Sequence, residues 1–195
     1  MNFKKGENIF ISGGTGSLGA MAIPIATKLG LNVITSGNIR NKERVEKLGA
    51  KQFIDYKTED YSEILNNVDY VLDTIGEREL EKEFKILKNG GRLVSLKGLP
   101  NKEFAERMNL SFIKRLLFGF AGSKYDKIAK RKNQKYYFLF VESNGKQLDK
   151  ISEIFKDTKI ETSIDEIYEL NEVNNALEKV YNGKSKGKTL IEIEE

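Results

Sequence analysis

Three glycines, Gly14, Gly16 and Gly19, stand in the spacing G-x-G-x-x-G inside the segment IFISGGTGSLGA, Ile9 to Ala20. An apolar run, a glycine turn and a helix-compatible stretch in that order can hold the diphosphate bridge of a dinucleotide. Each glycine then removes a different obstacle: one permits the tight turn, one lets a phosphate approach the backbone, and one lets helix and strand pack closely. The phosphates would rest on unpaired N–H groups at the helix start, near Ser17, where the helix dipole adds a partial positive charge and no basic side chain is required. A glycine turn between strand and helix also arises for purely structural reasons, so the residues around it have to separate the two readings.

A second set of residues bears on which dinucleotide is held. Where the nucleotide carries a free ribose 2′-hydroxyl, an acid roughly 20 residues past the glycines accepts its hydrogen bond. From Asn32 to Lys42 this chain has no Asp or Glu and instead carries Ser36, Gly37, Asn38, Arg40 and Lys42. A 2′-phosphate would meet a hydroxyl and two cations there, which favours NADP(H), although Arg40 and Lys42 also read as surface charges before a helix. Further on, VLDTIG places Asp73 and Thr74 at the carboxyl end of a strand, the position open α/β sheets use for ligands. Asp73 fits a ribose contact and equally a helix cap, since both need an oxygen at that point.

Composition narrows the chemistry. The 195 residues include no His and no Cys. Thiolate nucleophiles, imidazole bases and the usual ligands of catalytic zinc are therefore missing, and a zinc enzyme is not expected. With 33 basic and 29 acidic residues the net charge is +4. The surface is mixed, and the basic cluster from Lys124 to Lys135 reads as a solvated helix face, so no nucleic-acid partner is expected. No apolar run approaches the ~20 residues needed to span a bilayer and the start MNFKKGENIF has no signal core, so neither a membrane partner nor export is expected and the chain reads as cytoplasmic.

The elements that must position these residues follow from periodicity. Leu18, Met21, Ala22, Ile25, Ala26 and Leu29 fall on one helical face, with Gly30 ending it and Pro24 expected to kink it. Strands are expected at 32–36, 51–56, 69–76 and 92–96, with helices at 41–48, 61–65 and 79–87 between them. A long helix-compatible stretch follows over 101–135. The run YYFLFV, Tyr136 to Val141, gives a sixth strand, either covered on both faces or an interface strand. A helix to about Phe155, a short strand at 164–168, a helix at 173–181 and a strand at 188–193 complete the chain. This alternation is the signature of an α/β, Rossmann-type doubly wound, mostly parallel six-stranded sheet with helices on both faces, followed by a C-terminal helix-strand segment.

Six pieces in order, GENIFISGGTGSLGAMAIPIA, LGAKQFIDY, VLDTIG, LKNGGRLVSLKG, YYFLFVESNGKQL and GKSKGKTLIEI, resemble the cofactor half of the medium-chain dehydrogenase/reductase family, in its zinc-independent quinone oxidoreductase-like branch. The resemblance covers nearly the whole chain. It implies Thr15, Gly16, Ser17 and Leu18 at the pyrophosphate and Ser36, Lys42 and Tyr56 around the 2′-phosphate. It also implies the backbone of Leu139, Phe140 and Val141 at the nicotinamide. It divides the chain into an NADP-binding domain over 1–159 and a segment over 160–195 that in the family completes a catalytic domain. The family's N-terminal GroES-like substrate domain has no counterpart here, so turnover by this chain alone is not expected, and an apolar surface should be exposed or buried in an oligomer. Lys184 and Lys188 either reach the cofactor or solvate the tail. The family also implies a homodimer joined through the Tyr136–Val141 strand, with a separate substrate domain as a further partner. A non-catalytic NADP(H)-binding module or redox sensor is the alternative. An extended short-chain dehydrogenase or sugar-nucleotide epimerase, whose glycine turn Ser12 to Gly19 also fits, is disfavoured because none of the eight tyrosines has a lysine four residues later.

Overall fold

The computed structural model describes residues 3–156, 164–183, 185 and 187–193. These form two compact units, 1–145 and 146–195. The expected boundary at 159/160 falls outside the described residues.

The first unit is a six-stranded parallel sheet in the order β3-β2-β1-β4-β5-β6. Its strands are β1 (Asn8–Ile11), β2 (Asn32–Gly37), β3 (Ala50–Asp55), β4 (Val68–Asp73), β5 (Leu87–Ser95) and β6 (Lys135–Phe138). The connecting helices are α1 (Ser17–Lys28), α2 (Lys42–Lys47), α3 (Tyr61–Ile64), α4 (Glu77–Ile86), α5 (Lys102–Arg107), α6 (Phe112–Ala121) and α7 (Ser123–Arg131). Every pair of neighbouring strands is parallel. The doubly wound reading holds, and its reason is visible in β1. Successive side chains of a strand leave opposite faces. Ile9 and Ile11 accordingly join Ile23, Ala26, Val33 and Val45 on the side of α1 and α2, while Phe10 joins Tyr61, Leu80, Phe84 and Tyr125 on the side of α3, α4 and α7. A strand apolar at consecutive positions is stable only when both faces are covered.

Helix α1 continues through Pro24 to Lys28 and closes where Leu31 N–H reaches back to the Ala26 carbonyl at 3.0 Å. The expected long stretch over 101–135 breaks into three helices. Asn101 caps α5 by accepting from Phe104 N–H at 3.0 Å, and Gly122 alone separates α6 from α7.

The sixth strand is shorter than the sequence suggests. β5 ends at Ser95, whose carbonyl takes Leu139 N–H at 2.9 Å, and the Phe138 carbonyl is claimed by Arg107 Nη2 at 2.6 Å. With no further ladder partner the chain leaves the sheet. Leu139, Phe140 and Val141 are exposed, so the apolar run does not mark a strand covered on both faces over its length.

The second unit contains all but the first residue of α8 (Gly145–Phe155), then β7 (Ile164–Glu169), α9 (Val173–Tyr181) and β8 (Lys188–Glu192). The strands β7 and β8 pair in parallel as a separate two-stranded sheet. Ile167, Leu177, Val180 and Tyr181 of this unit are exposed. Among the described residues no helix is long and apolar enough to cross a membrane.

Candidate functional site

The glycine loop connects β1 to α1 at the point where the sheet order reverses, since β1 has β2 on one side and β4 on the other. Open α/β sheets leave a crevice outside the carboxyl ends of their strands at this reversal.

The loop is built by close approach. A Cβ on Gly19 would lie 2.3 Å from Gly14 Cα, and one on Gly14 would lie 1.9 Å from Thr35 Oγ1, so the helix sits directly on the loop and the loop on β2. Gly13, outside the G-x-G-x-x-G spacing, is the residue that takes a left-handed turn, at φ +68°. Gly14 N–H donates to the Ser36 carbonyl at 3.2 Å and Gly16 N–H to the Gly13 carbonyl at 3.0 Å. Gly16 is the N-cap of α1, no side chain caps the helix, and its first turn has no acid. The amides of Ser17, Leu18 and Gly19 begin the helix and by its geometry have no carbonyl within it to bind. Ser17 and Leu18 are exposed there. This first turn can take an anion.

Two neighbouring strands fasten the loop. On the β2 side, Thr15 packs its methyl where a Gly37 Cβ would stand, and Arg44 of α2 donates from Nη2 to the Thr15 carbonyl at 2.5 Å. On the β4 side, Thr74 Oγ1 donates to the Ser12 carbonyl at 2.7 Å while Thr74 N–H donates to Ser12 Oγ at 3.2 Å. Gly13, Arg44 and Ser12 were not among the residues singled out from sequence. Only Ser12 left a signal, as a polar residue ending an apolar strand.

The structure brings together Gly14 to Gly19, Ser36, Tyr56 and Thr74, with differing exposure. Ser36 is buried, and its carbonyl, not its hydroxyl, contacts the loop. Tyr56 is exposed and donates its N–H to the Gly37 carbonyl at 3.3 Å, which places it beside the end of β2. Arg40 is exposed, its N–H bound by Asn38 Oδ1 at 3.1 Å, and Lys42 is half-exposed 3.9 Å from Glu46. The β2–β3 register sets Asp55 directly opposite Gly37. An acid therefore stands at this end of the sheet after all. It is buried and accepts from Lys57 N–H at 3.1 Å, and the linear spacing along β2 could not reveal it.

Asp73 takes the turn-holding role. It is fully buried, its Oδ1 accepts from Ile75 and Gly76 N–H at 2.8 Å each, and its Oδ2 accepts from Ser95 Oγ at 2.5 Å. A ribose contact would compete with these bonds, so the carboxylate shapes the crevice without lining it. Leu139, Phe140 and Val141 lie just past β6, beside the end of β5. Lys188 is exposed, and Lys184 lies outside the described residues.

Beneath Asp73 sits Glu83 of α4, fully buried, with no hydrogen-bond partner for either carboxyl oxygen. Burial pushes its carboxyl well above the usual carboxylate range and the Asp73 charge pushes it further. The Ser12 hydroxyl offsets part of this, and Glu79 adds to the rise. Its spacing of three from Leu80 and one from Phe84 put it on the apolar face of α4, a signal available in the sequence.

No group of three or more His, Cys, Asp or Glu among the described residues is arranged to hold a metal ion, and the chain has no His or Cys to offer. The donors of a catalytic zinc site do not fit this chain.

A family model described as zinc-binding dehydrogenase matches residues 48–191. The chain is 28% identical to the mitochondrial NAD(P)H oxidoreductase RTN4IP1 of Danio rerio, over 97% of this chain and 50% of that protein. It is 31% identical to the 2-methylene-furan-3-one reductase of Solanum lycopersicum over 58% of this chain and 30% of that protein. The structure of the quinone oxidoreductase from Coxiella burnetii superposes with a TM-score of 0.76 at 26% identity, covering 98% of this chain and 54% of that one. The chain thus spans about half the length of the relatives that it matches from end to end.

Proposed function

This chain belongs to the medium-chain dehydrogenase/reductase family, through its group described as zinc-binding dehydrogenases, and from that premise we propose that it is the NADP(H)-binding part of a zinc-independent, quinone oxidoreductase-like enzyme. Residues 1–159 hold the cofactor and residues 160–195 complete a substrate domain. The single observation that carries this reading is the uncapped, acid-free first turn of α1, set at the reversal between β1 and β4.

In this reading the amides of Ser17, Leu18 and Gly19 bind the diphosphate, and Gly16, exposed and without a side chain, lets it reach them. Arg44 fixes the Thr15 carbonyl so that the loop is formed before the nucleotide arrives, which lowers the ordering cost of binding. Arg40 and Lys42, both accessible beyond β2, receive the 2′-phosphate, while Asp55 is withdrawn into its own turn. Asp73 and Ser95 shape the opposite wall, and the backbone after β6 faces the nicotinamide. Bound there, the cofactor supplies or accepts a hydride, and the substrate is a carbonyl or conjugated alkene. The proposed hydride transfer is zinc-independent, a reading supported by the lack of His and Cys in these 195 residues.

In this reading the 195 residues, which span about half the length of the relatives, bind NADPH, and the substrate domain supplies turnover. A calorimetric titration together with a steady-state assay on quinones and enals tests this. Binding without turnover is the expected result, and absence of binding at millimolar nucleotide contradicts the reading. Robust turnover by the chain alone contradicts its assignment as the cofactor part only. β6 is the edge of the sheet, with apolar Leu139 and Phe140 exposed beside it, which supports a homodimer joined there. Sedimentation as a monomer at micromolar concentration contradicts the dimer.

A further inference from the structure

Helix α6 presents an apolar stripe to solvent that the nucleotide site does not use. Phe112, Ile113, Leu116, Leu117 and Phe120 are 80%, 70%, 68%, 63% and 86% exposed. At 100° per residue they span an arc of about 140° on one side of the helix. The other side, at Arg115, Phe118 and Gly119, is the side that is partly covered, and Phe118 packs edge-on against Phe104 of α5 with ring centroids 5.8 Å apart. The exposed stripe is therefore not a core face left over from poor packing within this unit. A contiguous apolar patch of this size on a folded domain marks a surface that meets something.

The charge around the stripe selects the partner. Residues 112–135 carry eight basic residues and one acid, Asp126, against a net charge of only +4 for the whole chain. The remainder is acidic, so positive charge is concentrated in the segment that bears the stripe. Lys114 is exposed within α6, and Lys127, Lys130 and Arg131 are exposed on α7, which follows after Gly122 alone. Lys124 is held by Glu81 at 2.6 Å and is already neutralised. A second copy of this segment placed on the first would bring these cations against their like. An amphipathic helix with Phe and Leu on one side and Lys and Arg beside it instead has the composition that lies in the headgroup region of an anionic bilayer.

We propose that the α6–α7 segment is a peripheral docking surface for anionic lipid bilayers, with the α6 stripe inserted at the headgroup boundary and the α7 lysines against the lipid charge. The docking is peripheral, since among the described residues no helix is long and apolar enough to cross a membrane. The sequence alone gives no sign of a membrane partner, because the chain has no apolar run of spanning length and the apolar residues of α6 are uninformative until their exposure is known.

Co-sedimentation of the full chain with vesicles tests this, using phosphatidylcholine alone and phosphatidylcholine with roughly three-tenths phosphatidylserine. Binding to the phosphatidylserine vesicles, weakened by salt, is expected. The double variant Phe112→Glu, Phe120→Glu lowers the bound-to-free ratio by about tenfold or more, and Lys127→Ser, Lys130→Ser lowers it independently without touching the stripe. Thermal unfolding of both variants reports whether the fold is kept, and if the first fails to fold the second carries the test. Equal partition with and without phosphatidylserine overturns the proposal. So does a dimer in sedimentation velocity that dissociates in the Phe variant, because the stripe is then the seat of a second copy.

Discussion

Ser12 and Thr74 exchange hydrogen bonds across the mouth of the sheet, the Thr74 hydroxyl donating to the Ser12 carbonyl at 2.7 Å and the Ser12 hydroxyl accepting the Thr74 amide at 3.2 Å. The pair ties the end of β4 to the first residue of the glycine loop. Thr74→Val keeps the shape and removes the donor. It should cost about 1 kcal/mol in urea unfolding, the usual net worth of such a bond plus an unpaired carbonyl, and should weaken NADPH binding through a less ordered loop.

Gly19 is constrained by contact. A methyl there meets Gly14 Cα at 2.3 Å and its carbonyl oxygen at 2.4 Å, both backbone atoms that can yield only by displacing the loop. Gly19→Ala is expected to lose about 1–3 kcal/mol of stability and at least about tenfold in NADPH affinity, measured by denaturation and calorimetry on the same sample.

The buried Glu83 gives a pH dependence whose sign is set by its raised pKa. The unfolded chain releases this proton near pH 4.5, while the folded chain keeps it to higher pH. The stability present below that value is then lost as pH rises toward the folded pKa, by up to about 1.4 kcal/mol per pH unit. Glu83→Gln removes the ionisation. Its stability relative to the native chain should increase from pH 5 to pH 8 in urea titrations, whereas a pH-independent difference would show that the carboxyl is not held neutral.

Arg40 and Lys42 are exposed, and in the proposed reading they act on the 2′-phosphate through charge, an effect that salt screens. Arg40→Glu with Lys42→Glu should lower NADPH affinity by about tenfold or more while leaving NADH within a few-fold. An equal loss for both nucleotides would place the effect on the loop and not on the 2′-phosphate.

Most of the sheet was legible because its strands are short apolar runs separated by helical periodicity, as in β1 and α1, and that pattern fixes both the parallel order and the two covered faces. The glycine turn was legible as well, since its spacing is local. What stayed hidden came from across the fold. Asp55 reaches the end of β2 through strand register, and Arg44 reaches Thr15 from the neighbouring helix. The sixth strand was overextended because apolar composition does not say where the neighbouring strand runs out of carbonyls, which is at Ser95. Asp73 stays open between two roles in the sequence because its partners come from across the fold, the Ser12 and Ser95 hydroxyls joining the Ile75 and Gly76 amides.

Calorimetric titration of the native chain with NADPH and with NADH in the same buffer reads the site most directly. One NADPH per chain, bound at least about tenfold more tightly than NADH, is the result expected if bare amides at Ser17 to Gly19 take the diphosphate and the cations beyond β2 take the extra phosphate. Tighter binding of NADH, or no heat with either nucleotide at millimolar concentration, would contradict it.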